Sequence, residues 1–212
     1  MQQTGILTNE EAVTNACYNR VTLTGVAQNH GHDDNGNHTF SLCVDRLSGH
    51  TDVIPIIVPA GIHGNYAGTI TVRGIFQSYN KIVGQRSKLM LYVIAEEISE
   101  ADYNAQTNPN QIEMTAFLCK MPIYRTTPFN REIADLLLAV NCLNSQNESS
   151  YIPAIAWGKN ARYAKTLIVG EKVQVIGRIQ SREYQKRLDD GTIETRVAYE
   201  VSINSIQKEE IQ

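Results

Sequence analysis

The chain has 212 residues, 42% of them hydrophobic and 19% charged, with a formal net charge of −3. That apolar content can furnish one large core or two small ones, and the near-balanced charge excludes a uniformly basic molecule. Met1-Gln-Gln-Thr-Gly5 shows no basic segment leading into an apolar run, and no stretch approaches the roughly 18 apolar residues of a membrane helix, so neither a secretion signal nor a membrane span is expected.

In chain order, alternating runs rich in Val, Ile, Thr and Tyr predict strands over Arg20–Gln28, His38–Arg46, Thr51–Val58, Thr69–Tyr79 and Lys88–Ile98. The polar segment Asp102–Asn110, ending in Asn-Pro-Asn, reads as a linker. Further strands are predicted over Ile112–Met121, Ile133–Leu143, Tyr151–Trp157, Lys172–Tyr184 and Thr192–Ile206. Helical pattern is confined to Lys159–Leu167, where Asn160, Ala161, Ala164 and Leu167 can share a face. Ser181–Arg187, followed by Asp-Asp-Gly, reads as the base of a long hairpin.

The two strand series match each other. At a fixed offset, Val72, Gly74, Gln77 and Ser78 pair with Val175, Gly177, Gln180 and Ser181, and upstream Val53–Val58 resembles Tyr151–Ala156. Such ordered self-similarity points to duplication. Five strands with a helix between the third and fourth is the outline of the OB barrel. The expected fold is therefore all-β: two tandem five-stranded OB barrels, the second with the short helix. The expected domains are 1–101, a linker at 102–110, 111–207, and a short tail at 208–212. The shared Gly74 and Gly177 suit a bend where a small barrel turns its corner.

The halves differ in charge. Residues 1–110 carry six Lys/Arg against ten Asp/Glu, whereas Lys120–Arg187 carries eleven basic residues against five acidic. Single-strand binding needs aromatic faces for bases and positive charge for phosphates. Tyr151 and Trp157 share a face of one predicted strand, and Tyr184 sits among Arg178, Arg182, Lys186 and Arg187. Lys159 and Arg162 follow Trp157, with Lys120 and Arg125 upstream. A lone tryptophan in a barrel is as readily a core residue, and a basic hairpin is as readily plain surface; the combination favours DNA.

These residues resemble the bacterial single-stranded DNA-binding proteins. The resemblance runs through Tyr151-Ile-Pro-Ala-Ile-Ala-Trp-Gly158, Ala161, Ala164, Val169-Gly170, Val175–Tyr184 and Tyr199-Glu-Val-Ser202. It implies an OB fold, coating of single strands in replication, recombination and repair, and a unit of four barrels, hence a homodimer of this chain. It implies base stacking on Tyr151, Trp157 and Tyr184. A further stacking aromatic of the family falls near Leu143 or Asn144, where this chain has none. The family's acidic tip, which recruits replication and repair partners, has no counterpart beyond Glu209 and Glu210.

In the first half the equivalent positions are Val53, Pro59 and Lys81, with Tyr66, Phe76 and Tyr79 out of register. That half is expected to serve pairing and assembly, with weaker DNA contact at Arg73, Lys81, Arg86 and Lys88. The histidines of His30-Gly-His-Asp-Asp-Asn-Gly-Asn-His38 have the composition of a loop metal site, but the Asn-Gly turns favour a polar hairpin. No metal and no cofactor is expected at His30, His32 and His38. The four cysteines lack CxxC spacing; Cys43 and Cys119 fall in apolar runs, which favours reduced, buried thiols and a cytoplasmic, nucleoid-associated setting. No phosphate loop, nucleophile elbow or acid pair suggests an enzyme. The competing reading is a replication-restart or assembly adaptor whose barrels bind proteins.

Overall fold

Alternation of buried and exposed residues along the chain resolves into eleven strands and one helix among the described residues. The computed structural model describes residues 18–84, 86–101, 108–141, 149–188 and 191–209. The first half contains β1 (Asn19–His32), β2 (His38–Asp45), β3 (Thr51–Val58), β4 (Thr69–Val83) and β5 (Arg86–Glu100). The second contains β6 (Asn110–Leu118), β7 (Ile123–Thr126), β8 (Glu132–Asn141), β9 (Ser149–Trp157), α1 (Lys159–Ala164), β10 (Lys172–Arg187) and β11 (Ile193–Lys208). Cys17, Cys142, Leu143 and Asn144, most of the expected linker, and the last three residues lie outside the described residues.

In the first half the pairings close a ring: β1 with β2, β2 with β3, β3 parallel to β5, β5 with β4, and β4 with β1. The second half repeats the circuit through β6, β8, β9, β11 and β10, with β9 and β11 parallel. The fold is all-β and OB-like, and β7 is an extra strand on the edge of β8. Leu23, Leu42, Ile54, Ile56, Ile70 and Phe76 are sealed inside the first ring, and Ile112, Met114, Leu118, Leu138, Ile152 and Ile179 inside the second. Burial of this kind is the main stabilising term in small barrels.

The rings close differently at one end. In the second, α1 turns Ala161 and Ala164 inward, and Leu167 follows them into the core after the chain tightens through Thr166 N–H to Tyr163 O and Leu167 N–H to Ala164 O. In the first, a loop without helix lays Ile62 and Tyr66 against the core. Beside Tyr66 stand His30 and His38, their ring centroids 5.2 Å apart, with Phe40 5.6 Å from His30 and His32 5.7 Å from His38. Burial, then the neighbouring His30 and His32, lower the His38 pKa.

Gly74 and Gly177 each sit at an irregularity, between Arg73 and Gly74 in β4 and between Ile176 and Gly177 in β10. A Cβ there would come within 1.9 Å of Ile94 O or 2.4 Å of Ser202 O, so only glycine lets the partner strand lie this close.

β1 and β6 pair antiparallel, making the two rings one continuous sheet. The register Asn19↔Met114, Val21↔Ile112 and Leu23↔Asn110 maps onto itself when the halves are exchanged, so the seam has an internal pseudo-two-fold centred on Val21 and Ile112. Side chains repeat it. Asn19 brackets the backbone of Phe76, donating to its carbonyl at 2.8 Å and accepting its amide at 3.3 Å. Asn110 does the same to Ile179, at 2.7 and 2.9 Å. Tyr151 N–H donates to Ser78 Oγ at 2.8 Å, and Val53 N–H to Ser181 Oγ at 3.0 Å. Ser78 N–H donates to Ser150 Oγ, whereas Ser181 N–H donates to Asp52 Oδ1 at 2.7 Å. Backbone groups that would be orphaned at the seam are thus satisfied by the opposite half. Asn110 is accordingly no linker residue: it is buried, begins β6 and clasps β10.

Candidate nucleic-acid interface

On β9 the pleat turns Ile152, Ala154 and Ala156 into the core and leaves Tyr151 and Trp157 outside, 44% and 38% exposed. Opposite Trp157 in β8 stands Ile133, which with Ile155 is buried yet outside the core cluster. An indole braced on such an apolar floor keeps its other face free for a planar partner.

Tyr184 lies far out on the β10–β11 hairpin, paired with Arg196 and 36% exposed. Period-2 alternation puts Arg182, Tyr184 and Lys186 on one face, and Arg182, Lys186 and Arg187 are all exposed. The hairpin does not stand alone: at Ser181 it leans on β3 of the first half, while Tyr151 leans on β4 through Ser78. Tyr151 and Trp157 therefore share a strand face, whereas Tyr184 arrives on a separate arm supported by the other half.

The remaining expected cations fall into two groups. Lys120 and Lys159 are exposed, Lys120 just after β6 and Lys159 two residues beyond Trp157. Arg125 pairs with Asp135 at 3.0 Å, and Arg162 binds Glu132, which also accepts from the Tyr124 hydroxyl. Those partners hold the Glu132 carboxyl below its ordinary range, the Tyr124 hydrogen bond most of all. Lys165 lies 4.8 Å over the Tyr124 ring. Arg178 belongs to the seam: it lies 3.5 Å from Asp52, which Arg46 also grips, donating from Nε at 2.6 Å. Burial, then the adjacent Arg46, lowers the Arg178 pKa.

In the first half, Arg73 pairs with Glu97 at 3.2 Å and Lys81 with Asp34 at 3.7 Å. Lys88 faces Lys81 across the hairpin, and the side chain of Arg86 lies outside the described residues. Among the described residues no group of three or more His, Cys, Asp or Glu side chains is arranged to hold a metal ion, the His30, His32 and His38 stack included. Cys43 and Cys119 are half-buried rather than buried, and free; burial raises both thiol pKa values. Among the described residues no helix is long and apolar enough to cross a membrane.

Sequence reasoning missed the seam residues Asn19, Asp52, Asn110 and Ser150. Ser78 and Ser181 did stand out in the repeat, but their role depends on the opposite half, which periodicity does not reveal.

Comparison with known proteins places these features. Residues 109–208 match the model of the Single-strand binding protein family. A single-stranded DNA-binding protein of Clostridium tetani (strain Massachusetts / E88) is 32% identical over 88 residues, 39% of this chain and 59% of the relative, so the match spans little over half of that protein. The wild-type single-stranded DNA binding protein of Thermus aquaticus superposes over 92% of this chain and 95% of its own, with TM-score 0.68 and 19% identity. A deletion mutant of the same protein gives 0.67 and 20% over 92% and 96%. At that identity the likeness is one of fold. The likeness to the Single-strand binding protein family is thus carried by the second half of this chain, residues 109–208.

Proposed function

We propose that this protein is a binding protein for single-stranded DNA with little sequence preference. Its two rings serve as tandem OB barrels, a first domain over residues 1–101 and a second over 111–207. The observation that carries the reading is the exposed pair Tyr151 and Trp157 on β9, Trp157 standing opposite the buried Ile133, and both lying within the family match. Bases stack on these rings and on Tyr184, and Lys120, Lys159, Arg182, Lys186 and Arg187 take the phosphates. Arg125, Arg162 and Arg178 act mainly by holding neighbouring elements, since each already has a carboxylate partner. In the first half, the carboxylate partners of Arg73 and Lys81 support a weaker contact there. The protein works in replication, recombination and repair at the nucleoid, as a dimer presenting four barrels. The exposed Tyr18 and Ile176 on the shared sheet offer a surface for the second copy.

Anisotropy of a labelled oligo-dT tests the assignment. Tyr151→Ala and Tyr184→Ala are each expected to weaken binding by about 1–3 kcal/mol with the fold intact by circular dichroism. Two folded variants that bind like wild type would overturn the aromatic assignment and favour an adaptor that binds protein.

A further inference from the structure

The positions equivalent to the three aromatics are unsuited to stacking in the first half, yet its outer face carries an aromatic pair of its own. Tyr79 on β4 and Tyr92 on β5 meet edge to face with centroids 5.4 Å apart, and Tyr79 is 43% exposed. They line a groove between the β1–β2 turn and the β4–β5 hairpin, together with Ile57, Pro59, Lys81 and Ile94. A tyrosine held upright by the edge of a second ring presents a fixed, accessible face.

Two acids stand at the groove's lip, and each already has partners on the first half. Asp33 is held by the backbone amides of Asn35 and Asn37 at 2.9 and 2.8 Å and by Asn37 Nδ2 at 2.9 Å. Asp34 meets Lys81 at 3.7 Å with its own side chain 94% exposed, an ion pair of the kind that contributes little and that a phosphate can replace. Lys88 lies directly across the hairpin from Lys81.

The strand that carries Tyr79 also touches the second half. Tyr79 follows Ser78 in the chain, and Ser78 Oγ accepts the amide of Tyr151 at 2.8 Å.

We propose that Tyr79, braced by Tyr92, stacks a base of the strand that passes from Tyr151 onto the first half, with Lys81 at its phosphate. The first half then contributes a stacking site at a position the duplicated pattern does not mark. The inference rests on the single-strand reading of the second half, and the test separates the two. Oligo-dT probes from about 8 to about 40 nucleotides span one to several barrel footprints. With the full chain, Tyr79→Gln is expected to bind the shortest probe as wild type does. Its affinity for the long probes falls by roughly 5- to 150-fold, the equivalent of one lost stack. Tyr79→Phe keeps wild-type affinity at every length. If Tyr79→Gln and wild type bind the long probes alike while Trp157 fluorescence still responds, the Tyr79 site is overturned and the second-half reading stands. A Phe variant that loses as much as the Gln variant also overturns it. If Trp157 responds to no probe, the single-strand reading fails and the Tyr79 site with it.

Discussion

Asp52 has no exposed surface and accepts from two nitrogens of Arg46 and from the Ser181 amide, with Arg178 beside it. Its counterpart across the pseudo-two-fold, Ser150, meets Ser78 with a neutral hydroxyl. The seam is thus symmetric in backbone and asymmetric in charge. Arg46 and Arg178 keep 22% and 30% of their side chains exposed, so some solvation survives, but the carboxylate is wholly enclosed. Removing it leaves two partly solvated guanidinium groups side by side without their shared carboxylate. Asp52→Ala is expected to cost about 3 kcal/mol in urea unfolding, the low end for breaking a buried ion pair. The added change Arg178→Met restores part of that loss. A cost below about 1 kcal/mol would mean the triad does not hold the halves together.

The elements whose course matters most are the two long hairpins. Each bends at one glycine, Gly74 or Gly177, where the partner backbone leaves no room for a Cβ. Gly177→Ala must open β10–β11 or shift Ser202, and overpacking of this sort costs about 1–3 kcal/mol. Thermal unfolding is the check; an unchanged midpoint would show the bend does not depend on that contact. The glycine of each hairpin, and the base of the β10–β11 hairpin, were legible in the sequence because alternation and repetition coincide there, whereas the run of β4 on to Val83 and of β5 back to Arg86 was not. The inward face of α1 was legible for the same reason, through Ala161, Ala164 and Leu167. β7 was not, since its four residues lie at an edge, show no buried face and fall between Pro122 and Pro128. Asn110 read as linker because Asn-Pro-Asn marks a turn, and only the fold reveals the carbonyl and amide of Ile179 waiting for its side chain. Tyr151 and Trp157 were legible as a pair from spacing alone. The support of Tyr184's arm by β3 was not, because it joins residues more than a hundred positions apart.

At the scale of the whole molecule, two rings joined through β1 and β6 form one sheet with a built-in two-fold. The two rings share the seam residues Asn19 and Asn110, and Ser78 and Ser181, while their outer faces differ. One outer face has Tyr151 and Trp157, with the exposed Lys159 beside Trp157; the other has Val53 and Pro59 at those positions, with Tyr79 and Tyr92 nearby. The central claim is that the second ring's aromatic face receives single-stranded DNA. Trp157 is the chain's one tryptophan and stands on that face, so its emission reports on the site directly. Titration with poly-dT at several salt concentrations is expected to quench it to a stoichiometric endpoint. The affinity is expected to fall as salt rises, because counterions leave the phosphates on binding. Emission that stays unchanged by poly-dT at low salt would contradict the account.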